Sequence, residues 1–377
     1  MYRAIVRAQP HLVRRFVTAC VIVAAIAGIL WTVAHTVRTR VQPAVTLLPT
    51  GEVLLVGGSG SCLSLGGFID VFCSSTPLNT AERYDPATDR HIPAARLHTP
   101  RSGAALVTLP DGQVLAIGGI DRLTEEASPI VLASTERYDP ASDRWTAVAS
   151  MIEPRSRPVA TLLRDGRVLV TGDLHPTAAV YDPRGDQWTP TGPLRDGRAR
   201  APAVLLPSGQ VLVVGGDTTR DYHAATAECY DPASNQWHPV ADLHTGRTQH
   251  TATLLPDGQV LVVGGQGQDG VLASSERYDP TTDRWELGPE MHTVRFGHSA
   301  TALPDGRVLV VGGGGGGTVP VLRSVEMYDG GTGQWRALPA TRNGWTGQTA
   351  VALPSGVLYL TGGDYAQQTP EVYDARS

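Results

Sequence analysis

Short apolar runs, each closed by a pair of small residues that is usually Gly-Gly, return along the whole chain. Residues 260–263 read VLVV, and a comparable run follows each of seven turn glycines: Gly51, Gly112, Gly166, Gly209, Gly258, Gly306 and Gly356. In all seven copies the first glycine of the closing pair lies six residues after the turn glycine. These runs do not alternate apolar with polar residues, which is typical of strands covered on both faces. The pattern therefore predicts a repeat array of buried strands.

Each unit carries the pattern of four strands. In the unit that begins at Arg247, Thr251 to Leu255 and Gln259 to Val263 are apolar strands on either side of a Pro-Asp-Gly turn. A third strand ends at Tyr278, and Trp285, seven residues later, opens the fourth. Four-stranded units repeated about an axis predict an all-β fold, a β-propeller, and seven units predict seven blades.

The combination of a VLVVGG run, a SERYDP segment and a Trp seven residues after the Tyr resembles the kelch repeat. The resemblance implies a kelch-type propeller of the galactose oxidase-like central domain superfamily. We expect units at about 40–97, 101–151, 155–194, 198–243, 247–291, 295–341 and 345–377. Only the distance from the glycine pair to the Tyr varies, with intervals of 27, 20, 9, 15, 14, 16 and 11 residues. Insertions are thus confined to one loop per unit, and these loops are expected on one rim.

Two units depart from the pattern. The third is the shortest and has Asp173 for the second glycine, Arg164 for the turn proline and Ala179 for the glutamate found in the other units, so we expect its blade to be the most distorted. The last unit ends too early to supply a fourth strand. Residues 31–37 resemble a fourth strand and are predicted to close that blade. The alternative is a three-stranded blade, with Trp31 at the end of a membrane anchor.

The N-terminus reads as an export signal. Four arginines precede the apolar run from Phe16 to Ala34. Residues 1–27 are either a cleaved signal peptide or the start of an uncleaved anchor, and residues 28–377 are the propeller. The excess of arginine before the run places the propeller outside the cytoplasm, secreted or tethered to the membrane.

The charged residues exclude two classes of function. The formal net charge is −5, so a nucleic-acid-binding surface is not expected. The chain contains no lysine, which excludes Schiff-base chemistry. We expect a monomer.

The loop from Ser59 to Ala81 is the longest and the first candidate for binding. Cys62 and Cys73 are predicted to pair in an oxidising compartment. Phe68, Ile69 and Phe72 lie between them and would form either an apolar binding tip or a cap folded back on the propeller. The other candidate binding residues in variable loops are Asp121, Glu125, Arg220, Tyr222, His223 and Tyr365.

Six arginines occupy one position per unit: Arg40, Arg101, Arg155, Arg198, Arg247 and Arg295, with Trp345 in the seventh. A ring of cations at a channel mouth would bind an anion, whereas pairing with the repeated glutamate would make the arginines structural. The structural interpretation is favoured. His250 and His298, three residues after two of these arginines, are interpreted as buried core histidines.

Copper is the one cofactor that the resemblance raises. Galactose oxidase-like sites need two Tyr, two His and a Cys crosslinked to one Tyr. Tyr222, His223, His250, His298 and Tyr365 supply fragments of that set, but no cysteine is suitably placed. We therefore expect no cofactor, no metal and no catalytic residue, and a module that binds a protein or glycan partner through its variable loops. The alternative is a carbohydrate-active enzyme of the galactose oxidase, epimerase or lyase type.

Overall fold

The computed structural model describes residues 40–60, 62–65, 69–73, 76–124, 127–317, 321–363 and 369–376. For residues 62–65, 69–73, 122–124 and 127 it describes the backbone alone. Within these ranges, no helix has the length and apolar character needed to cross a bilayer. The predicted signal or anchor, and residues 31–37, lie outside the described residues.

Seven antiparallel sheets form the blades. Blade 1 comprises Ala44–Leu47, Val53–Val56, Ala81–Asp85 and Arg90–Ala94; blade 2, Ala105–Thr108, Val114–Ile117, Thr135–Asp139 and Arg144–Val148; blade 3, Val159–Leu162, Val168–Thr171, Ala179–Asp182 and Gln187–Pro190. Blade 4 comprises Ala203–Leu205, Val211–Val214, Ala227–Asp231 and Gln236–Val240; blade 5, Thr251–Leu254, Val260–Val263, Ser275–Asp279 and Arg284–Leu287. Blade 6 comprises Ser299–Ala302, Val308–Val311, Val325–Asp329 and Gln334–Leu338; blade 7, Gln348–Ala352, Leu358–Gly362 and Glu371–Tyr373.

The blades close into a ring. The first strand of each blade contacts the first strands of both neighbours, and the first strand of blade 7 contacts that of blade 1. Seven apolar clusters lie between successive blades. In blade 5, Val260 and Val262 face blade 4 while Leu261 and Val263 face blade 6, so the second strand is buried on both faces. The predicted seven-bladed kelch-type propeller is confirmed.

The repeated Tyr and Trp residues join neighbouring blades. The Tyr278 hydroxyl donates to Asp283 Oδ1 at 2.9 Å, and the same carboxylate oxygen accepts the Ala241 amide at 2.8 Å. Trp285 Nε1 donates to the Ala241 carbonyl at 2.8 Å. These bonds connect blade 5 to the end of blade 4 and satisfy polar groups that the interface would otherwise bury unpaired. The family's signature residues are therefore part of the framework.

Blade 6 shows that this junction varies in a coordinated way. Gly333 stands where blade 5 has Asp283, so the Tyr328 hydroxyl has no hydrogen-bond partner among the described residues. The residue equivalent to Ala241 is Pro289, which has no amide hydrogen to donate. Trp335 Nε1 still donates to the Pro289 carbonyl at 3.0 Å. Blade 6 thus lacks both the carboxylate that accepts these bonds in blade 5 and the backbone amide that donates to it.

Blade 3 is less distorted than we expected. It retains four strands in continuous antiparallel register. Asp173 adopts a φ of 60°, and the equivalent glycines of the other units also have positive φ, between 83° and 106°. Its carboxylate accepts the Ser156 amide at 2.8 Å and the Ser156 hydroxyl at 2.7 Å. In blade 2 the equivalent amide, that of Ser102, donates to the Ile120 carbonyl at 3.0 Å. The Asp173 carboxylate in blade 3 therefore replaces the backbone carbonyl that accepts the equivalent amide in blade 2.

All variable segments lie on one rim, as expected. They connect the second strand to the third, so they share a rim with the connections between successive blades, and we call it the variable-loop rim. Its short strand pairs are Arg40–Val41 with Ser59–Gly60, Cys62–Leu65 with Ile69–Cys73, Ile120–Thr124 with Ala127–Val131, Arg198–Ala199 with Asp217–Thr218, and Gln266–Gly267 with Gly270–Val271. In the described residues blade 7 has three strands and ends at Glu371–Tyr373; a fourth strand from residues 31–37 stays a prediction.

Candidate functional site

The six repeated arginines, which we call the ring arginines, are buried between strands. Arg247 Nη2 donates to Glu276 Oε1 at 2.8 Å, and both side chains are 0% exposed. Arg247 Nη1 donates to the carbonyls of Gly264 and Ser274 at 3.0 and 3.1 Å. The same pairing joins Arg40 to Glu82, Arg101 to Glu136, Arg198 to Glu228, and Arg295 to Glu326. The structural interpretation of these arginines is confirmed.

In three of these pairs the glutamate, Glu136, Glu276 or Glu326, takes part in four hydrogen bonds. Glu136 Oε2 accepts the amide of His98 and bonds to its Nδ1, both at 2.8 Å, while Oε1 accepts the Thr99 amide and Arg101 Nη2. Burial alone would raise the pKa of Glu136, but the bonds from His98 and Arg101 outweigh it and lower that pKa. A buried charge pair satisfied in this way fixes the blade edge rather than offering a ligand site.

Units 3 and 7 lack one member of the pair and compensate differently. Arg155 donates to the carbonyl and hydroxyl of Thr177 at 2.6 and 3.2 Å, and that hydroxyl donates to Glu153. In unit 7 the fully buried Trp345 takes the place of the arginine, and Glu371 accepts the Arg342 amide at 2.8 Å.

The innermost ends of all seven blades meet in a cavity of about 360 Å³ on the axis, which we call the axial mouth. Two residues after each ring position, the chain contributes one residue to its wall: Gln42, Gly103, Arg157, Arg200, Gln249, Gly297 and Gly347. The axial mouth opens on the variable-loop rim, because these residues lie where one blade crosses to the next. Its volume falls within the range of small-molecule sites, roughly 300–1,000 Å³.

Positive charge enters the axial mouth through Arg157 and Arg200, both exposed. Arg157 Nη2 donates to Gln42 Oε1 at 3.2 Å, and Arg200 Nη1 donates to Asp217 Oδ2 at 3.2 Å. Among the described residues that line the cavity there is no carboxylate. The charged side chains of the cavity wall are therefore positive, whereas the chain as a whole has a formal net charge of −5.

His250 and His298 lie in the wall, as buried as expected. Burial, reinforced by the nearby Arg247 charge, lowers the pKa of His250 to about 3. Burial and the Arg295 charge hold the pKa of His298 well below its ordinary value, and its Nε2 lies 2.9 Å from the Thr251 hydroxyl. Both rings are neutral at physiological pH, so the arginines alone charge the mouth.

The predicted binding residues occupy several places on the variable-loop rim. Tyr222 is 79% exposed. Arg220 Nε lies 3.3 Å from Asp196 Oδ1, the His223 amide donates to Asp221 at 2.8 Å, and Asp121 is half-buried on the blade 2 hairpin. The structure describes only the backbone of Cys62, Ile69, Phe72 and Cys73, with Cys62 directly opposite Cys73 in the hairpin. Phe68, Glu125 and Tyr365 lie outside the described residues.

Of the exposed apolar residues of this rim, the sequence predicted Tyr222 but missed Ile130, Ile152 and Leu174. Ile130, Ile152, Leu174 and Tyr222 are exposed on the loops and connections of blades 2 to 4. Blade 3, in the middle of this sector, has the shortest variable segment, 9 residues against 20 and 15 in its neighbours. The unequal intervals marked these loops as variable, but they did not show which apolar side chains are exposed.

The copper site of a galactose oxidase-like enzyme does not fit the described side chains. No three His, Cys, Asp or Glu side chains converge in the described part of the chain. Cys229 is buried among apolar residues between blades 4 and 5, and burial raises the pKa of its thiol to about 12. The repeat tyrosines lie between blades, as Tyr278 does, and not at the axial mouth.

Two comparisons with known proteins agree with this architecture. The Kelch motif model matches residues 100–152, 198–244, 247–292 and 295–341, about half of the chain. A solved structure described as a novel fungal alcohol oxidase with catalytic diversity among the AA5 family, in complex with copper, is similar with a TM-score of 0.58 and 16% identity. That similarity covers 88% of this chain and 84% of the oxidase chain. At this identity the likeness concerns the fold.

Proposed function

This chain belongs to the kelch-repeat family, and we propose that it is a non-catalytic binding module whose protein or glycan ligand contacts the variable-loop rim. One observation carries the proposal: the polar residues that most units share are already used inside the propeller. Arg247 and Glu276 bond to each other and to the backbone, and Tyr278 and Trp285 join blades. Chemistry directed outward must therefore come from residues that differ between units, and these lie mainly on one rim.

The variable-loop rim also has the surface character of a binding site. Exposed apolar side chains lie on blades 2 to 4, with Tyr222 the most exposed. Tyrosines of this kind supply much of the binding free energy in interfaces.

Export is part of the proposal and is supported by the sequence alone. We propose that residues 1–27 direct the propeller out of the cytoplasm as a signal peptide or the start of an anchor, and that Cys62 and Cys73 form a disulfide there. The backbone pairing of Cys62 with Cys73 supports that disulfide. Mass spectrometry of the exported protein, with and without thiol reduction, tests both the cleavage site and the bond.

A carbohydrate-active enzyme is the second candidate, favoured by the likeness in fold to a copper-containing alcohol oxidase. Among the described residues, no group of three or more His, Cys, Asp or Glu side chains is placed to hold a metal ion. Metal analysis of the purified chain separates the two candidates, since stoichiometric copper with oxidation of primary alcohols would contradict a binding module.

The binding proposal is tested with paired surface substitutions. Tyr222→Ser and Leu174→Ser remove exposed apolar side chains from the variable-loop rim, whereas Leu287→Ser does so on the outer strand of blade 5. We expect crosslinked capture of cell-envelope ligands to fall with the rim variants and to stay unchanged with Leu287→Ser. Replacing residues 61–75 by a short Gly-Ser linker tests the first variable loop separately. Equal capture by all variants would contradict the proposal.

A further inference from the structure

We propose that the axial mouth binds the terminal acidic sugar of a glycan, with its carboxylate held between Arg157 and Arg200. This inference rests on the proposed binding function and assigns it a ligand class. Arg157 and Arg200 come from adjacent blades, 3 and 4, and both line the cavity. Guanidinium groups bind carboxylates through paired hydrogen bonds that a neutral ligand cannot reproduce.

The hydrogen bonds that the two arginines already make use only some of their N–H donors. Arg157 donates one described hydrogen bond, to the neutral amide oxygen of Gln42. Arg200 contacts Asp217 through Nη1, which orients the group, and a guanidinium has five N–H donors in all. The described cavity wall contains no competing carboxylate. An incoming anion therefore meets oriented donors without displacing a buried ion pair.

Backbone conformation supports a functional reason for one of the two arginines, Arg200, whereas Arg157 has no positive φ. Three units have glycine two residues after the ring position, and Gly103, Gly297 and Gly347 all have positive φ. Gln42, Arg200 and Gln249 occupy the same position in other units with φ of 49°, 55° and 54°. Left-handed backbone is unfavourable for such residues, and it persists where a side chain is needed. The mouth thus has Gln or Arg200 at a backbone position where glycine would be less strained.

The distribution around the axis suits a sugar. Blades 3, 4 and 5 contribute Arg157, Arg200 and Gln249 in succession, which form a polar arc. Blades 6 and 7 contribute Gly297 and Gly347, which leave space opposite that arc. A pyranose with its carboxylate toward the arginines would place its hydroxyls within reach of amide groups, which both donate and accept hydrogen bonds.

An acidic peptide fits this wall less well. Peptide recognition draws affinity from strand addition or from apolar pockets for side chains. The described lining of the axial mouth has no Phe, Tyr, Trp or large aliphatic residue, and its apolar members are Pro43 and Ala104. A ligand made of hydroxyls and one carboxylate matches this lining better.

The test uses the full chain and defined probes. Calorimetric titration with a hexuronic acid tetramer is compared with its methyl ester and with a tetraglutamate peptide. We expect the tetramer to bind at least tenfold more tightly than either, because the ester lacks the charge and the peptide lacks the hydroxyls. Arg157→Gln and Arg200→Gln should each weaken tetramer binding about tenfold or more, the cost of one charge-assisted hydrogen-bonding group. Arg336→Gln, exposed on the outer strand of blade 6, should leave binding unchanged.

Each contrary result has a defined meaning. Tetramer binding that is absent, or equal in both arginine variants and the parent, overturns the inference. Equal or tighter binding of tetraglutamate overturns the sugar assignment in favour of an acidic peptide. Envelope capture that still depends on Tyr222 and Leu174 would leave the binding function standing in these cases. Envelope capture that does not depend on Tyr222 and Leu174 would instead contradict the proposed function itself.

Discussion

Arg198 and Arg200 are two residues apart in the same connection between blades, yet they lie in different environments. Arg198 is buried and bonds to Glu228 and to the Gly215 and Thr226 carbonyls. Arg200 has a half-exposed side chain at the axial mouth and contacts Asp217 at 3.2 Å. The first position belongs to the framework and repeats around the ring, whereas the second differs between units. Residues that a repeat conserves here are those that hold it together, and the variable neighbours are available to bind.

Breaking a framework ion pair should have the largest effect on stability. Glu276→Gln would leave the Arg247 guanidinium buried without its carboxylate, so we expect a loss of about 3–5 kcal/mol in the free energy of unfolding. The matched change in the mouth, Asp217→Asn, removes the partner of a half-exposed arginine and should cost less than about 1 kcal/mol. Urea denaturation measures both. Similar losses would contradict the distinction between the two regions.

Acid should act through the buried histidines before it acts through the glutamates. The pKa of His250 falls from 6.5 to about 3 on folding, so below pH 6.5 the unfolded chain binds a proton that the folded chain does not. Stability therefore decreases as the pH falls, by about 2–3 kcal/mol for this residue between pH 6.5 and 4.5. His250→Gln, the residue type that blade 7 has at Gln348, should remove that part of the pH dependence.

Urea denaturation at pH 7.5 and pH 4.5 checks this prediction, with the exposed His175→Gln as the control. An unchanged difference between the two pH values in His250→Gln would contradict it. The glutamates act at lower pH and in the same direction. Burial opposes ionisation of Glu82, but bonds from His91 and Arg40 lower its pKa to about 2, so its contribution is present above pH 4.5 and is lost toward pH 2.

The Tyr hydroxyls offer a smaller and internally controlled effect. Tyr278→Phe removes the bond to Asp283 and should cost about 1 kcal/mol in the free energy of unfolding. Tyr328→Phe removes a hydroxyl that has no partner among the described residues, so it should be neutral or slightly stabilising. Thermal and urea unfolding of the two variants compare them directly. A larger loss of stability in Tyr328→Phe than in Tyr278→Phe would contradict an unpaired hydroxyl at the blade 6 junction.

A small change in stability, opposite in sign to that of Glu276→Gln, is expected at the mouth. Arg200→Gly relieves a non-glycine residue at φ 55° and should stabilise the fold by at most about 1 kcal/mol, while weakening the binding of acidic sugars. Denaturation and titration of the same sample measure both quantities. A destabilised Arg200→Gly variant would assign this side chain to the framework.

Much of the framework could be predicted from the sequence because each of its parts repeats. The strands predicted from the unit at Arg247 agree with the structure to within about one residue, including Thr251–Leu254 and Val260–Val263. The seven units and the single place for insertions were also correct. The expected distortion of blade 3 was wrong in degree, because the Asp173 side chain takes over a backbone hydrogen bond.

The axial mouth could not be predicted in the same way. Arg157 and Arg200 occupy a position that is Gln, Gly or Arg in different units, so no pattern marks it. Sequence spacing also does not show which of two arginines separated by one residue faces the axis. In unit 4 that choice accompanies a left-handed backbone, with φ of 55° at Arg200, whereas Arg157 in unit 3 has no positive φ.

The sequence by itself determined the repeat, the number of blades and the partition between constant frame and variable rim, because apolar periodicity and turn residues act locally. Only the tertiary structure decided which charged residues are neutralised and which remain available. Folding of each unit brings the glutamate of its third strand onto its own ring arginine, as Glu276 meets Arg247. Ring closure gathers one residue from each of the seven blades around the axis. Residues far apart in the chain meet at those places, and burial sets the electrostatic free energy of each contact.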